Sequence, residues 1–312
     1  MNSIESLPLE ILNEILIFLN QFSSIYNCLF VSRKWCKLTI PLLWRKPLSI
    51  NARNIFKIIS TFKLLLDDNS NQMFNYCEFI NKIDYQNLYS LISIKKKNEI
   101  LHLSYLIFDL FIKKCINLTN LTFNTFNFDY KFFHFEFTSC YLSRLRFVEF
   151  DQISSKISFI NCLCQCKLIE IIVIKLSEDD SKISLDPLIK LIINQINLKS
   201  FNCAYSSSLV EFNASEIIEA LIFKKYDKLS HIEFTECQFD NQNSLYKFSC
   251  LKNFKLVLNN CKIHCESNND KYEYIEDNFI NCYFNFAPKF CEFNFDLNKE
   301  SNTIIIKISS IL

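Results

Sequence analysis

Fifteen cysteines carry most of the latent chemistry of this chain. A thiolate can hold a metal ion or attack a carbonyl, and each use demands a pattern. Cys162-x-Cys164-x-Cys166 and Cys261-x-x-His264-Cys265 come nearest to zinc ligand sets. Neither has the paired spacing that closes a tetrahedral site. With four histidines present, some Cys–His pair will resemble a protease dyad, but no nucleophile motif surrounds any of them. Asp179-Asp180 reads as loop charge. The chain contains no glycine, which excludes a Walker loop, a dinucleotide fingerprint and a nucleophile elbow. No cofactor and no metal are expected, and the chain reads as a non-enzyme.

Half of the 312 residues are hydrophobic, 32 are Phe, 21% are charged, and the formal net charge is +1. That is a globular composition without the basic surplus that nucleic acids or anionic membranes select. The abundance of Ile, Asn, Lys, Phe and Tyr over Ala and Gly reads as codon bias of an AT-rich genome. No apolar run is long enough to span a bilayer. The apolar stretch from Leu9 to Leu19 lacks a basic leader and includes Glu10, Asn13 and Glu14, so it does not read as a secretory signal. An odd cysteine count in a long, apolar chain points to buried free thiols in a reducing compartment, cytoplasmic and/or nuclear. Neither nucleic-acid nor membrane partners are expected.

The elements that organise these residues begin at Pro8, where proline suits a first helical turn. From Leu9 to Leu19 only Glu10, Asn13 and Glu14 form a polar stripe, far narrower than that of an ordinary surface helix. Such a helix must be covered on more than one side. Ser23 or Ser24 is expected to cap a second helix carrying Ile25, Cys28 and Leu29. Ser32 is expected to cap a third, carrying Trp35 and Leu38 and ending at Pro41. A unit this short cannot bury so much apolar surface alone. Either a partner or the rest of the chain must cover it.

Leu7-Pro8-Leu9-Glu10-Ile11-Leu12, then Ile15 and Leu19, then Val31-Ser32-Arg33-Lys34-Trp35, then Leu43-Trp44, resembles the F-box in order and spacing. Cys28 departs from it, standing where many members carry a larger aliphatic residue. The resemblance implies a three-helix module that docks onto the Skp adaptor subunit of SCF-type cullin–RING ubiquitin ligases. It further implies that Leu7, Pro8, Ile11, Leu12, Ile15, Leu19, Val31 and Trp35 face that partner or support the docked helices.

Between residues 49 and 114 helical spacing recurs through Ile55, Ile58, Ile59, Phe62 and Leu65 or Leu66, and again from Lys96 to Cys115. Asp67 to Asn71 is a break, and Ile83, Tyr85, Leu88 and Leu91 are ambiguous between strand and helix. Past Cys115 a short motif recurs. Its copies are Leu118-x-x-Leu121-x-Phe123, Leu142-x-x-Leu145-x-Phe147, Leu168-x-x-Ile171-x-Val173 and Leu198-x-x-Phe201-x-Cys203. Leu229-x-x-Ile232-x-Phe234, Leu251-x-x-Phe254-x-Leu256 and Phe290-x-x-Phe293-x-Phe295 continue it. Helical patterns separate them at Ile157–Cys164, Leu188–Ile193, Ile217–Phe223 and Leu245–Cys250. The series is similar to leucine-rich repeats, and Cys237 and Cys261 fall in or near positions where such repeats bury Cys or Asn.

The fold class expected is therefore α/β. An F-box at 1–48 precedes a mainly helical connecting segment at 49–114 that caps an irregular leucine-rich-repeat solenoid at 115–312, with a parallel sheet on its concave face. A mixed α/β domain with no solenoid is the rival. Thr303 to Ile308 reads as a further strand, so the array either continues beyond Leu312 or closes on it. The residues between the leucine-type positions should line the open sheet face. These are Thr119, Asn120, Thr122, Arg144, Arg146, Glu170, Lys199, Asn202, His231, Glu233, Lys252, Lys255, Glu292 and Asn294. Arg144 with Arg146, and Lys252 with Lys255, would make two basic spots for an acidic or phosphorylated segment. The function implied is a non-catalytic adaptor that bridges the Skp adaptor and cullin to an unknown protein substrate. The alternative is a repeat scaffold whose F-box forms a non-ligase complex.

Overall fold

The computed structural model describes residues 7–19, 22–45, 75–88, 100–123, 142–151, 157–178, 180, 184–206, 212–223, 228–239, 254–259, 261–263, 291–298 and 303–310. The chain divides into two compact units, Met1–Thr122 and Phe123–Leu312.

The first unit opens with three helices, α1 (Leu9–Phe18), α2 (Phe22–Cys28) and α3 (Arg33–Trp44). Pro8 is the residue before α1, with extended ψ, and its carbonyl accepts from the Leu12 N–H at 3.1 Å. Ser32 caps α3 as expected, its hydroxyl accepting from the Trp35 N–H at 3.4 Å. Two local expectations are corrected. Ser23 and Ser24 lie inside α2, which already begins at Phe22. Pro41 lies inside α3 and does not end it. A proline removes only its own N–H, and the carbonyl it would have met belongs to Lys37, an exposed residue whose carbonyl water can satisfy.

The ambiguous segment resolves as a 3₁₀ turn (Tyr76–Glu78), then β1 (Lys82–Asp84), then a helical turn over 85–88. The helix expected near Lys96–Cys115 is α4 (Ile100–Lys114), followed by β2 (Asn120–Phe123), which pairs parallel with β1. Ile55 to Leu66, the break at Asp67–Asn71, and Leu91 lie outside the described residues. The Trp44 ring packs 4.5 Å from Tyr76, and the Asn81 N–H reaches the Arg45 carbonyl at 3.2 Å, so the end of α3 is tied to this segment.

The second unit is α/β. Its strands are β3 (Phe147–Asp151), β4 (Ile171–Ser177), β5 (Ser200–Ser206), β6 (His231–Thr235), β8 (Phe254–Asn259), β10 (Cys291–Asn298) and β11 (Thr303–Ser310). They lie in the order β3-β4-β5-β6-β8-β11-β10. The pairs from β3 to β8 are parallel, and β11 and β10 close the order antiparallel. The short strands β7 (Gln238–Phe239) and β9 (Lys262–Ile263) form a separate parallel pair. Helices α5 (Ile157–Leu163), α6 (Asp186–Asn194) and α7 (Ser215–Phe223) fall between successive strands, where parallel pairing requires a crossover. The pattern at Leu245–Cys250 lies outside the described residues.

The motif copies at Leu118, Leu198 and Leu229 have the expected register, with all three leucine-type positions buried. Two copies are one residue out. In β4 the buried residues are Ile169, Ile172 and Ile174, not Leu168, Ile171 and Val173. In β3 Val148 and Phe150 are buried and Phe147 is not. β4 opens with apolar residues on both faces and β3 with Phe147 beside Val148, so alternation there does not fix the register, and a one-residue slip exchanges the faces. The pairing of Val148 with Ile172, Phe201, Ile232 and Leu256 across the sheet fixes it. In β8 the aligned residues are Leu256 and Leu258, so the copy begun at Leu251 is out of phase. The copy at Phe290 falls on antiparallel β10 and is not a parallel-strand unit.

At the ends of the parallel strands, short side chains donate back to the preceding strand. Ser206 Oγ meets the Leu176 carbonyl at 3.2 Å, Cys237 Sγ the Cys203 carbonyl at 3.8 Å, and Cys261 Sγ the Phe234 carbonyl at 3.4 Å. Buried Gln195 does the same work after α6. Its amide oxygen accepts from the Ile169 N–H at 3.0 Å, and its nitrogen donates to the Cys166 and Leu191 carbonyls at 2.8 Å each. Among the described residues no helix is long and apolar enough to cross a membrane.

Candidate docking interface

The three-helix segment separates its apolar residues into two sets. Leu12, Leu16, Cys28 and Trp35 form a buried cluster, with Leu7, Leu19, Leu38 and Leu42 packed against it. Lys34 Nζ donates to the Leu7 carbonyl at 2.8 Å, tying the start of the segment to α3. Buried Thr39 donates to the Trp35 carbonyl at 2.7 Å. Cys28 is thus a core residue, and burial pushes its thiol pKa up.

The second set faces solvent. Ile11 is 48% exposed, Phe18 79%, Phe30 73% and Val31 55%, and Pro8, Leu9 and Ile17 are exposed as well. Ile11, Ile15 and Phe18 recur at i, i+4 and i+7, so they share one flank of α1. Leu12 and Leu16 occupy the face turned toward α3. Of the residues singled out in sequence, Leu12 and Trp35 are core, Leu7, Ile15 and Leu19 are half-buried, and Pro8, Ile11 and Val31 are open. Leu9, Ile17, Phe18 and Phe30 were not singled out. The overwide stripe of α1 already contained Leu9, Ile17 and Phe18, whereas Phe30 sits in the turn after α2 and left no periodic signal. Exposed large apolar side chains in this number are what a protein-docking surface presents.

The open sheet face of the second unit is polar and largely self-paired. Lys175 Nζ lies 2.7 Å from Glu149, and Lys199 Nζ 2.6 Å from Glu170, which also meets Arg146 Nε at 3.7 Å. Glu233 accepts from Asn202 at 3.2 Å and Asn259 at 2.8 Å, with His231 Nε2 3.5 Å away. Arg146, Glu170 and Lys199 stand just before β3, β4 and β5, His231 and Glu233 on β6, and Lys255 on β8. Arg144 lies in the turn before β3, and Lys252 lies outside the described residues. Thr122 is corrected to a buried position, while Thr119 and Asn120 are half-buried. Glu292 and Asn294 belong to antiparallel β10. Glu149, Lys175 and Asn259 were missed, the first two because the register of β3 and β4 was read one residue out.

The cysteine constellations take no such arrangement. Burial raises the Cys162 thiol pKa and pushes Cys164 up to about 11 and Cys166 to about 12. Burial likewise holds Cys261 far above its ordinary range. Thiols held protonated in this way are poor nucleophiles and poor ligands. His264 and Cys265 lie outside the described residues, and no group of three or more His, Cys, Asp or Glu side chains is placed to hold a metal ion among those described. Asp180 is buried rather than a loop charge, accepting from the Ser177 N–H at 2.9 Å.

A family model described as F-box-like matches residues 4–49. The match spans the three helices that bear the exposed apolar set, and the chain carries an F-box-like domain there. No curated protein matches the chain.

Proposed function

We propose that this chain is a substrate-recruiting adaptor of an SCF-type cullin–RING ubiquitin ligase. The F-box-like segment docks the Skp adaptor and the parallel-sheet unit holds a protein substrate. One observation carries the reading: a segment matched as F-box-like keeps Pro8, Ile11, Phe18, Phe30 and Val31 exposed around a separate core of Leu12, Leu16, Cys28 and Trp35. Catalysis then belongs to other subunits, and this chain raises the local concentration of substrate lysines near the charged enzyme. Residues 115–312, which include the whole second unit, are read as an irregular leucine-rich-repeat solenoid. Support comes from its aligned parallel strands, the helices between them, and the side-chain ladder of Ser206, Cys237 and Cys261. The complex would work in the cytoplasm or nucleus.

Tagged full-length chain, expressed in eukaryotic cells, should recover both the Skp adaptor and a cullin. Pro8→Ala with Ile11→Asp should reduce adaptor recovery by about thirtyfold or more, taking a buried anchor at roughly 2 kcal/mol, without lowering the melting temperature. Leu12→Ala should instead destabilise the fold by roughly 2–5 kcal/mol, because it empties a core position. Wild-type recovery by the Pro8/Ile11 variant would refute the docking assignment. Recovery of the adaptor without any cullin would make the chain part of a non-ligase complex.

A further inference from the structure

We draw no further inference here: the strongest candidate, the half-buried apolar patch of Phe147, Ile171 and Val173 on the open sheet face of the second unit, carries none, because nothing in the structure shows what covers it.

Discussion

Glu236 turns the chain out of β6 with φ at 57°, in the left-handed region where a Cβ is crowded. A chain with no glycine has no residue free of that cost, so a larger side chain must carry the turn. The conformation is held because the Glu236 N–H donates to the Asn259 carbonyl at 2.8 Å, and the next residue, Cys237, enters the buried ladder. Glu236→Gly relieves the crowding but adds freedom to the unfolded chain. The expected balance is a gain of about 0.5–1 kcal/mol, read as a higher midpoint in urea with an unchanged slope. An unchanged or lower midpoint would mean that the Glu236 side chain supplies more than the turn costs. The same residue scale separates docking from folding in the F-box-like segment, where adjacent residues Ile11 and Leu12 point to solvent and to the core. Helical spacing showed the stripe of α1 to be overwide but did not divide Ile11 from Leu12 and Leu16. It could not reach Phe30, which lies in a turn with no period to betray its exposure.

At the scale of elements, what the sequence made legible depends on how strictly each strand alternates. β5 and β6 interleave Phe201, Cys203 and Ile232, Phe234 with polar residues, and their register was plain. β4 reads Ile-Ile-Val-Ile, with apolar residues on both faces, and only the partner strands decide which set is buried. The antiparallel close of the sheet was not legible either, because Phe293 and Phe295 alternate in the same way whichever direction the neighbouring strand runs. Between elements, buried polar side chains fix the connections. Gln195 satisfies one N–H and two carbonyls between the α5–β4 connection and the end of α6. Gln195→Leu keeps similar bulk but orphans all three groups, each dearer to leave unmade than to make. Unfolding by urea should show a loss of roughly 1–3 kcal/mol, and Gln195→Glu should lose at least as much near neutral pH, because its carboxylate would sit buried against the Cys166 and Leu191 carbonyls. A neutral Gln195→Leu would mean that the backbone relaxes to pair these groups elsewhere.

At the scale of the whole molecule, the first unit runs far beyond the three helices that the F-box-like match covers. Cutting the chain at residue 48 would remove Tyr76 from Trp44 and Asn81 from the Arg45 carbonyl, uncovering the end of α3. The fragment would then expose that end together with Leu9, Ile11, Ile17, Phe18, Phe30 and Val31. A unit of this size has little buried surface to offset such exposure. Residues 1–48 alone should therefore aggregate or lack a cooperative melting transition. Residues 1–122 should stay monomeric at low concentration and melt cooperatively, since they retain α4 and the β1–β2 pair. Co-expression with the Skp adaptor should bring 1–48 into solution and keep 1–122 monomeric at higher concentration, because in the docking proposed above the adaptor covers the α1 flank that neither can cover itself. Gel filtration with thermal unfolding distinguishes the outcomes. If 1–48 is monomeric and cooperative by itself, the ties to Tyr76 and Asn81 are incidental and the exposed apolar set is tolerated without a partner. If 1–122 aggregates even with the adaptor present, the surface that needs covering is not the α1 flank.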